Sequence, residues 1–221
     1  MMNPKLLADD RYQHAAEVVR QLAPQLEPPV VYDIGAGSLP MKHLVERAGL
    51  RYTGFDIAPA APEVVRWNLN EPCPLPGAQA GLVLLLEVAE HLLNLGLAIH
   101  HISDVIAPGG YLLLTTPNPR WSRSRLHALV TGFPSYFTQS DLTLNGHVFP
   151  VWPHVMEHIL SGAHFVVEDY SLLKAPTAWP PFSLNLRYPL RLGHAILNKL
   201  IDLRDPSAAG PAYAVLARRA P

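Results

Sequence analysis

One cysteine, Cys73, is all the chain has, so it can form no internal disulfide and no cysteine-based zinc cluster. That usage fits a reducing compartment. Charge is scarce as well: Asp, Glu, Lys and Arg make up 16% of residues, and the formal net charge is -1. No global basic field exists to gather nucleic acid, which argues against such a partner. No uncharged apolar run approaches the roughly 20 residues of a membrane-spanning helix. The first residues, MMNPKLLADDRYQ, show no signal-peptide pattern. The expectation is a cytoplasmic protein without a transmembrane segment.

What is present is apolar and well punctuated. Hydrophobic residues make up 49% of 221, enough for one α/β domain with a substantial core. Residues 5–23 predict an amphipathic helix with Leu6, Leu7, Tyr12, Ala15, Ala16, Val19 and Leu22 facing the core. Val30–Ile34 reads as a buried strand running into a Gly35-Ala36-Gly37 turn. A helix over 41–48, a strand from Arg51 ending at Asp56, and a short strand over Val64–Trp67 follow. Gly81–Leu86 predicts a central strand ending at Glu87, 94–106 a helix closed by Pro108-Gly109-Gly110, and Tyr111–Thr116 a further strand. Strands alternating with helices imply parallel pairing through right-handed crossovers. Beyond residue 120 the pattern loosens. Helices are expected over 121–131, 152–161 and 188–203, strands over Phe165–Leu172 and Ala212–Leu216, and an aromatic-rich excursion over 133–150.

In such a sheet ligands bind beyond the carboxyl ends of the strands. Asp33, Asp56, Glu87 and the Thr116-Pro117-Asn118 turn all fall there, so four strand ends converge on one crevice. In VYDIGAGS, Gly35 and Gly37 permit a tight turn and close backbone approach. Pro40 stands where a dinucleotide fingerprint needs its third glycine. Asp56 lies 19 residues after Gly37, the range in which an acid accepts from a ribose diol. After the central strand, Glu87 is followed at three and four residues by Glu90 and His91, on one face if a helix starts there. A helix-capping acid with a surface Glu–His pair is the plainer account of that cluster.

VYDIGAGS, YTGFDIAP, WNLNEPCPLPG, LLLEVAEHL and APGGYLLLTTPNP occur in the order and spacing of the class I S-adenosylmethionine-dependent methyltransferases, which residues 28–120 resemble. The resemblance implies a Rossmann-like, doubly wound seven-stranded sheet whose last strand is antiparallel, with Ala212–Leu216 as that strand. It implies one domain: a helical lead-in over 1–27, a cofactor core over 28–120, an acceptor-side insertion over 121–160, and strands with a lid helix over 161–221. The cofactor is then S-adenosyl-L-methionine. Asp33, Gly35 and Gly37 line its methionine end, Asp56 holds the ribose, Asn68 and Leu69 flank the adenine, and Glu87 borders the crevice. Family members usually carry aspartate at Asn68 and often glycine at Leu39.

The E-x-x-E-H pattern is similar to that of O-methyltransferases of ubiquinone biosynthesis and of small-RNA 3′ ends, where the acids and histidine bind a divalent metal beside the acceptor hydroxyl. In the small-RNA group a later histidine joins them. Asn145-Gly146-His147-Val148 offers His147, giving Glu87, Glu90, His91 and His147 as candidate metal ligands, with His91 and His147 also candidate catalytic bases. The acceptor is then a small molecule, glycan or lipid, with O-methylation favoured by the histidines. Phe133, Tyr136, Phe137, Phe149 and Trp152 are candidate pocket aromatics, of which at least half are expected to be plain core. Arg120, Arg123 and Arg125 would meet an anionic acceptor or form a solvated helix face. The 188–203 helix is expected as a lid or dimer element, with a peripheral membrane contact as the lesser option. A nicotinamide-dependent oxidoreductase and a non-catalytic adenosyl-binding module are the rival classes.

Overall fold

A computed structural model describes residues 5–7 by their backbone, and 10–77, 79–173 and 188–221 in full. Its strands are β1 (Lys5–Leu7), β2 (Val30–Ile34), β3 (Arg51–Asp56), β4 (Val65–Arg66), β5 (Ala80–Leu86), β6 (Ile106–Pro117), β7 (Phe165–Leu173) and β8 (Ala212–Arg219). Its helices are α1 (Arg11–Leu22), α2 (Lys42–Arg47), α3 (Leu95–Val105), α4 (Ser122–Thr131), α5 (Gln139–Asn145), α6 (Pro153–Gly162) and α7 (Tyr188–Arg204). One sheet runs β1-β7-β8-β6-β5-β2-β3-β4. From β2 to β8 it is the expected seven-stranded arrangement, and β8 is antiparallel to both β6 and β7.

The eighth strand corrects the sequence reading. Lys5–Leu7 forms no helix; it pairs in parallel with Ser171–Leu173 at the sheet edge. Helix α1 starts only at Arg11, because the Asp10 carboxylate accepts from the Tyr12 amide at 2.8 Å and caps the first turn.

Alternation along the buried strands divides the core in two. Val30, Tyr32, Ile34, Val83 and Leu85 join α3 and α6 on one face. Val31, Leu82, Leu84 and Leu86 meet α1 and α2 on the other. A strand buried on both faces reads as a continuous apolar run, which is why β5 was legible. Each such side chain contributes about 1.5–3 kcal/mol.

Candidate active site

At the end of β2 the chain turns through Gly35 and Gly37, at φ 78° and 48°. The Gly35 and Ala36 amides donate to Phe55 O at 2.8 and 3.0 Å, binding the turn to β3. A Cβ at Gly35 would lie 2.5 Å from Val88 Cγ2, so only glycine fits there. At Gly37 an added Cβ would meet nothing nearer than Gly35 O at 4.0 Å; open space lies over this part of the turn. Leu39, where family members often have glycine, keeps a left-handed φ of 64°.

Asp56 accepts from the Gly37 amide at 3.1 Å on one oxygen and from Ala58 at 2.9 Å on the other. The carboxylate is thereby oriented, with lone pairs left for a further donor. Asp33 is buried and accepts from Tyr52 Oη at 2.7 Å. Burial pushes its carboxyl up to about 6, against the pull of the Tyr52 bond, with Asp56 adding to the rise. Asn68 Oδ1 already accepts from the Asn70 amide at 3.1 Å and its side-chain nitrogen at 3.0 Å. An adenine contact through that oxygen would have to replace them. Leu69 is buried in the core, and its carbonyl meets His101 Nδ1 at 3.0 Å.

The segment after β5 is not the helix expected to begin near Glu87. Glu87 takes a left-handed φ of 56°, Ala89–His91 form one 3-10 turn, and α3 starts at Leu95. The Glu87 amide donates to Thr115 O at 3.0 Å and Thr115 Oγ1 at 3.1 Å, which holds this unusual backbone. Glu90 is fully buried; its Oε2 accepts from Thr116 Oγ1 at 2.9 Å. The Oε1 atoms of Glu87 and Glu90 are both buried without a hydrogen-bond partner. Burial raises both carboxyls, and Glu87 raises Glu90 further.

The two histidines meet. The His91 and His147 rings lie 4.9 Å apart, edge to face. His91 Nδ1 lies 3.2 Å from Gly146 O, and His147 Nδ1 2.7 Å from Tyr136 O. A carbonyl only accepts, so each Nδ1 donates to it and the ring orientation is fixed. Burial, then His147, lowers His91. One ligating atom from each of Glu90, His91 and His147 lies within 4.8 Å of the others. Glu87 stands outside that trio but shares a cavity of about 480 Å³ with His147, together with Asp10, Arg11, Pro117 and Tyr136.

Arg11 escaped the sequence reading. Its Nε is buried without a partner, and Glu87 is among the charges that raise its guanidinium. The only local signal was the Asp10 cap that starts α1 at this residue. Of the pocket aromatics, Phe137 alone is buried, which corrects the expectation that at least half would be core. Tyr136 stacks on Trp121 at 6.1 Å and lines the cavity. Arg120 and Arg125 both pair with Asp205, at 3.2 and 2.5 Å, while Arg123 covers the Trp121 ring. The basic run thus serves the α4 region itself.

Residues 7–168 match the methyltransferase-domain family. The chain belongs to that family. It is a class I S-adenosylmethionine-dependent methyltransferase with the Rossmann-like sheet described above. None among curated proteins matches the chain. A S-adenosylmethionine-dependent methyltransferase of Archaeoglobus fulgidus is similar in fold at 20% identity and TM-score 0.61, with 94% of each chain covered. One from Mesorhizobium loti reaches 14% and 0.55, covering 94% of this chain and all (100%) of the other. SpnF, a 4+2 cyclase, reaches 14% and 0.56, over 94% and 82%. A cyclase on the same architecture shows that the acceptor chemistry of this methyltransferase must be argued from its own side chains.

Proposed function

We propose that this methyltransferase acts on a hydroxyl of a small or medium-sized acceptor, such as a sugar, lipid or phenol, held in the cavity between Arg11, Glu87, Tyr136 and His147. The observation that carries the reading is the His91–His147 pair, with both Nδ1 atoms held on backbone carbonyls, which leaves Nε2 as the nitrogen to act as base. A hydroxyl must lose its proton on methylation, and an imidazole of that tautomer can take it.

S-adenosylmethionine supplies the activated methyl group when bound. The residues present fit it: the open space over Gly37 admits a ligand against the turn, and Asp56 faces it with a pre-oriented carboxylate. Gly35, Gly37 and Asp33 are assigned to the methionine end, Asp56 to the ribose, and Asn68 and Leu69 to the adenine surroundings. Glu87 borders both ligands. Alignment by these groups supplies effective molarity worth on the order of 7–11 kcal/mol in favourable cases. Low His91 basicity keeps that imidazole neutral and able to accept a proton.

A second reading uses the same atoms. A buried and a half-buried carboxylate, each with one buried unpartnered oxygen, beside two oriented imidazoles fit a divalent cation, whose charge would offset their repulsion. One ion with ligands at about 2.0–2.3 Å spans at most about 4.6 Å. The 4.8 Å spread of Glu90, His91 and His147 therefore needs only a small side-chain adjustment. Glu87 would be a neighbour of the ion and not one of its closest ligands. Such a cation would lower the pKa of the acceptor hydroxyl.

The test is methyl transfer from labelled S-adenosylmethionine to a panel of hydroxyl, amine and carboxylate acceptors, with and without chelator. Turnover confined to hydroxyl acceptors is expected, and turnover confined to amines would overturn the reading. Activity lost in chelator and restored by Mg²⁺, Mn²⁺ or Zn²⁺ selects the metal form. Full activity in chelator selects the histidine base.

A further inference from the structure

Helix α7 is inside out. Its one buried residue is polar, Asn198, which contacts His194 at 3.0 Å. Leu190, Leu197, Leu200 and Leu203 are instead 76%, 51%, 57% and 70% exposed. At 3.6 residues per turn these four occupy one arc of roughly 140°. A surface helix ordinarily turns such a stripe to the core, as the sequence reading expected of a lid. Helix α4 packs against α7 and repeats the inversion: its buried residues are Ser122 and Ser124, while Leu129 and Val130 stand exposed.

An outward apolar face of this size calls for a cover, and the charges around it select one. The exposed charged residues of α7 are Arg191, Lys199 and Arg204, all cationic, and its one acid, Asp202, is only half-exposed. Arg204 falls within the leucine arc and Lys199 at its flank, while Arg191 lies on the far side; a second copy would offer that face more cations and no exposed acid. An anionic bilayer accepts both features, with the leucines at the acyl boundary and the cations among the headgroups.

We propose that the exposed face of α7, with the exposed end of α4, docks on an anionic lipid bilayer and lies in its interface. No helix among the described residues is long and apolar enough to cross a membrane, so the contact is peripheral. Both helices are tied closely to the acceptor cavity. Ser122 follows Pro117 by five residues and Pro211 follows Arg204 by seven, and Pro117, Pro211 and Ala212 line that cavity.

The experiment is co-sedimentation of the full chain, without methyl donor or acceptor, with vesicles. One set is about three parts phosphatidylcholine to one part phosphatidylglycerol, the other phosphatidylcholine alone. The protein is expected in the pellet with the mixed vesicles, at least about tenfold more than with the neutral ones, and high salt should release it. The double variant Leu197→Glu, Leu200→Glu should abolish binding while circular dichroism stays unchanged, since both side chains are exposed. Lys199→Glu with Arg204→Glu should weaken partitioning about 25-fold or more, roughly fivefold per cation removed. Complete recovery in the supernatant with both vesicle types overturns the proposal. So does a dimer in sedimentation velocity that the leucine variant dissociates while vesicle binding is absent, which would give the face to a second copy. No methyl transfer is read, so this failure is distinguishable from failure of the proposed reaction.

Discussion

Around Gly35–Gly37 the polar groups answer one another; around Glu90 they do not. On the cofactor side the turn amides find Phe55 O, and Asp56 gathers the Gly37 and Ala58 amides. The Asp33 carboxylate is met by Tyr52. On the acceptor side Glu87 and Glu90 each keep a buried oxygen without a partner, and Arg11 keeps a buried nitrogen. Burial of polar groups is costly unless it is compensated, so the second arrangement persists only where something else supplies the missing contacts. In the proposed reading the cofactor side is a preformed cradle, and the acceptor side is a set of groups that a proton, a cation or the acceptor would complete. The two come close where Gly35 approaches Val88 in the Glu87–His91 segment.

If the division is sound, removing an acceptor-side imidazole abolishes chemistry and spares cofactor binding. His147→Ala is expected to lower kcat about 100-fold or more, the usual contribution of a positioned base. Calorimetry should find the affinity for S-adenosylmethionine unchanged. An equal loss of cofactor affinity would show that the two regions are one.

The next effect concerns the one strained charge on the cofactor side. The unfolded chain releases the Asp33 proton near 3.8, but burial holds it in the folded protein up to about 6. Stability contributed by neutral Asp33 is therefore full below about pH 4 and lost as pH rises through about 6. About 3 kcal/mol is the most this can amount to. Asp33→Asn keeps an acceptor for Tyr52 and removes the charge. In urea titrations of the ligand-free protein its stability relative to the unsubstituted chain should rise between pH 4 and pH 7. A constant difference across that range would mean Asp33 ionises as an exposed acid does.

Much of the cradle was legible because it is local. The apolar run Val30–Ile34, the two glycines and the spacing to Asp56 all lie within 27 residues, and each is a short-range necessity. The meeting of His91 with His147 was legible only through resemblance, since 55 residues separate His91 from its carbonyl partner Gly146. What stayed hidden depends on contacts that no local pattern carries. Lys5–Leu7 is a strand because β7 offers it an edge, at a separation of 166 residues. Its alternation is too short to outweigh the helical period that continues from residue 11. Arg11 reaches the cavity from the first turn of α1. The outward leucines of α7 fit a helical period perfectly well; the period fixes a face and leaves open which way the face points.

Asp56→Ala sharpens the same contrast at a smaller scale. Loss of a charged hydrogen-bond partner costs about 1.5–3 kcal/mol, so affinity for S-adenosylmethionine should fall by roughly one to two orders of magnitude. The variant also frees the Gly37 and Ala58 amides. Both are near the surface, where water replaces the carboxylate, so the thermal midpoint should move far less than the affinity. Unchanged affinity in a folded variant would remove Asp56 from the ribose.

The smallest effect is expected at Leu39, and its sign is the informative part. A leucine at φ 64° carries about 1–2 kcal/mol of backbone strain that glycine would not. Against this, the half-buried side chain packs over Gly54, where an added Cβ would lie 3.0 Å from Leu39 Cδ2. Losing that packing costs about 1 kcal/mol, and glycine adds about 0.5–1 kcal/mol of chain entropy. Leu39→Gly should therefore leave stability within about 1 kcal/mol of the starting protein, with cofactor affinity intact, because the turn keeps the bond from the Leu39 amide to Ala36 O at 2.8 Å. Leu39→Ala keeps the strain and loses the packing, so it should be the least stable of the three. Urea midpoints measured side by side give the order. If alanine proved about 0.5–1 kcal/mol more stable than glycine, the left-handed backbone would cost nothing here. The cradle would then owe its shape to side-chain packing instead of to the turn.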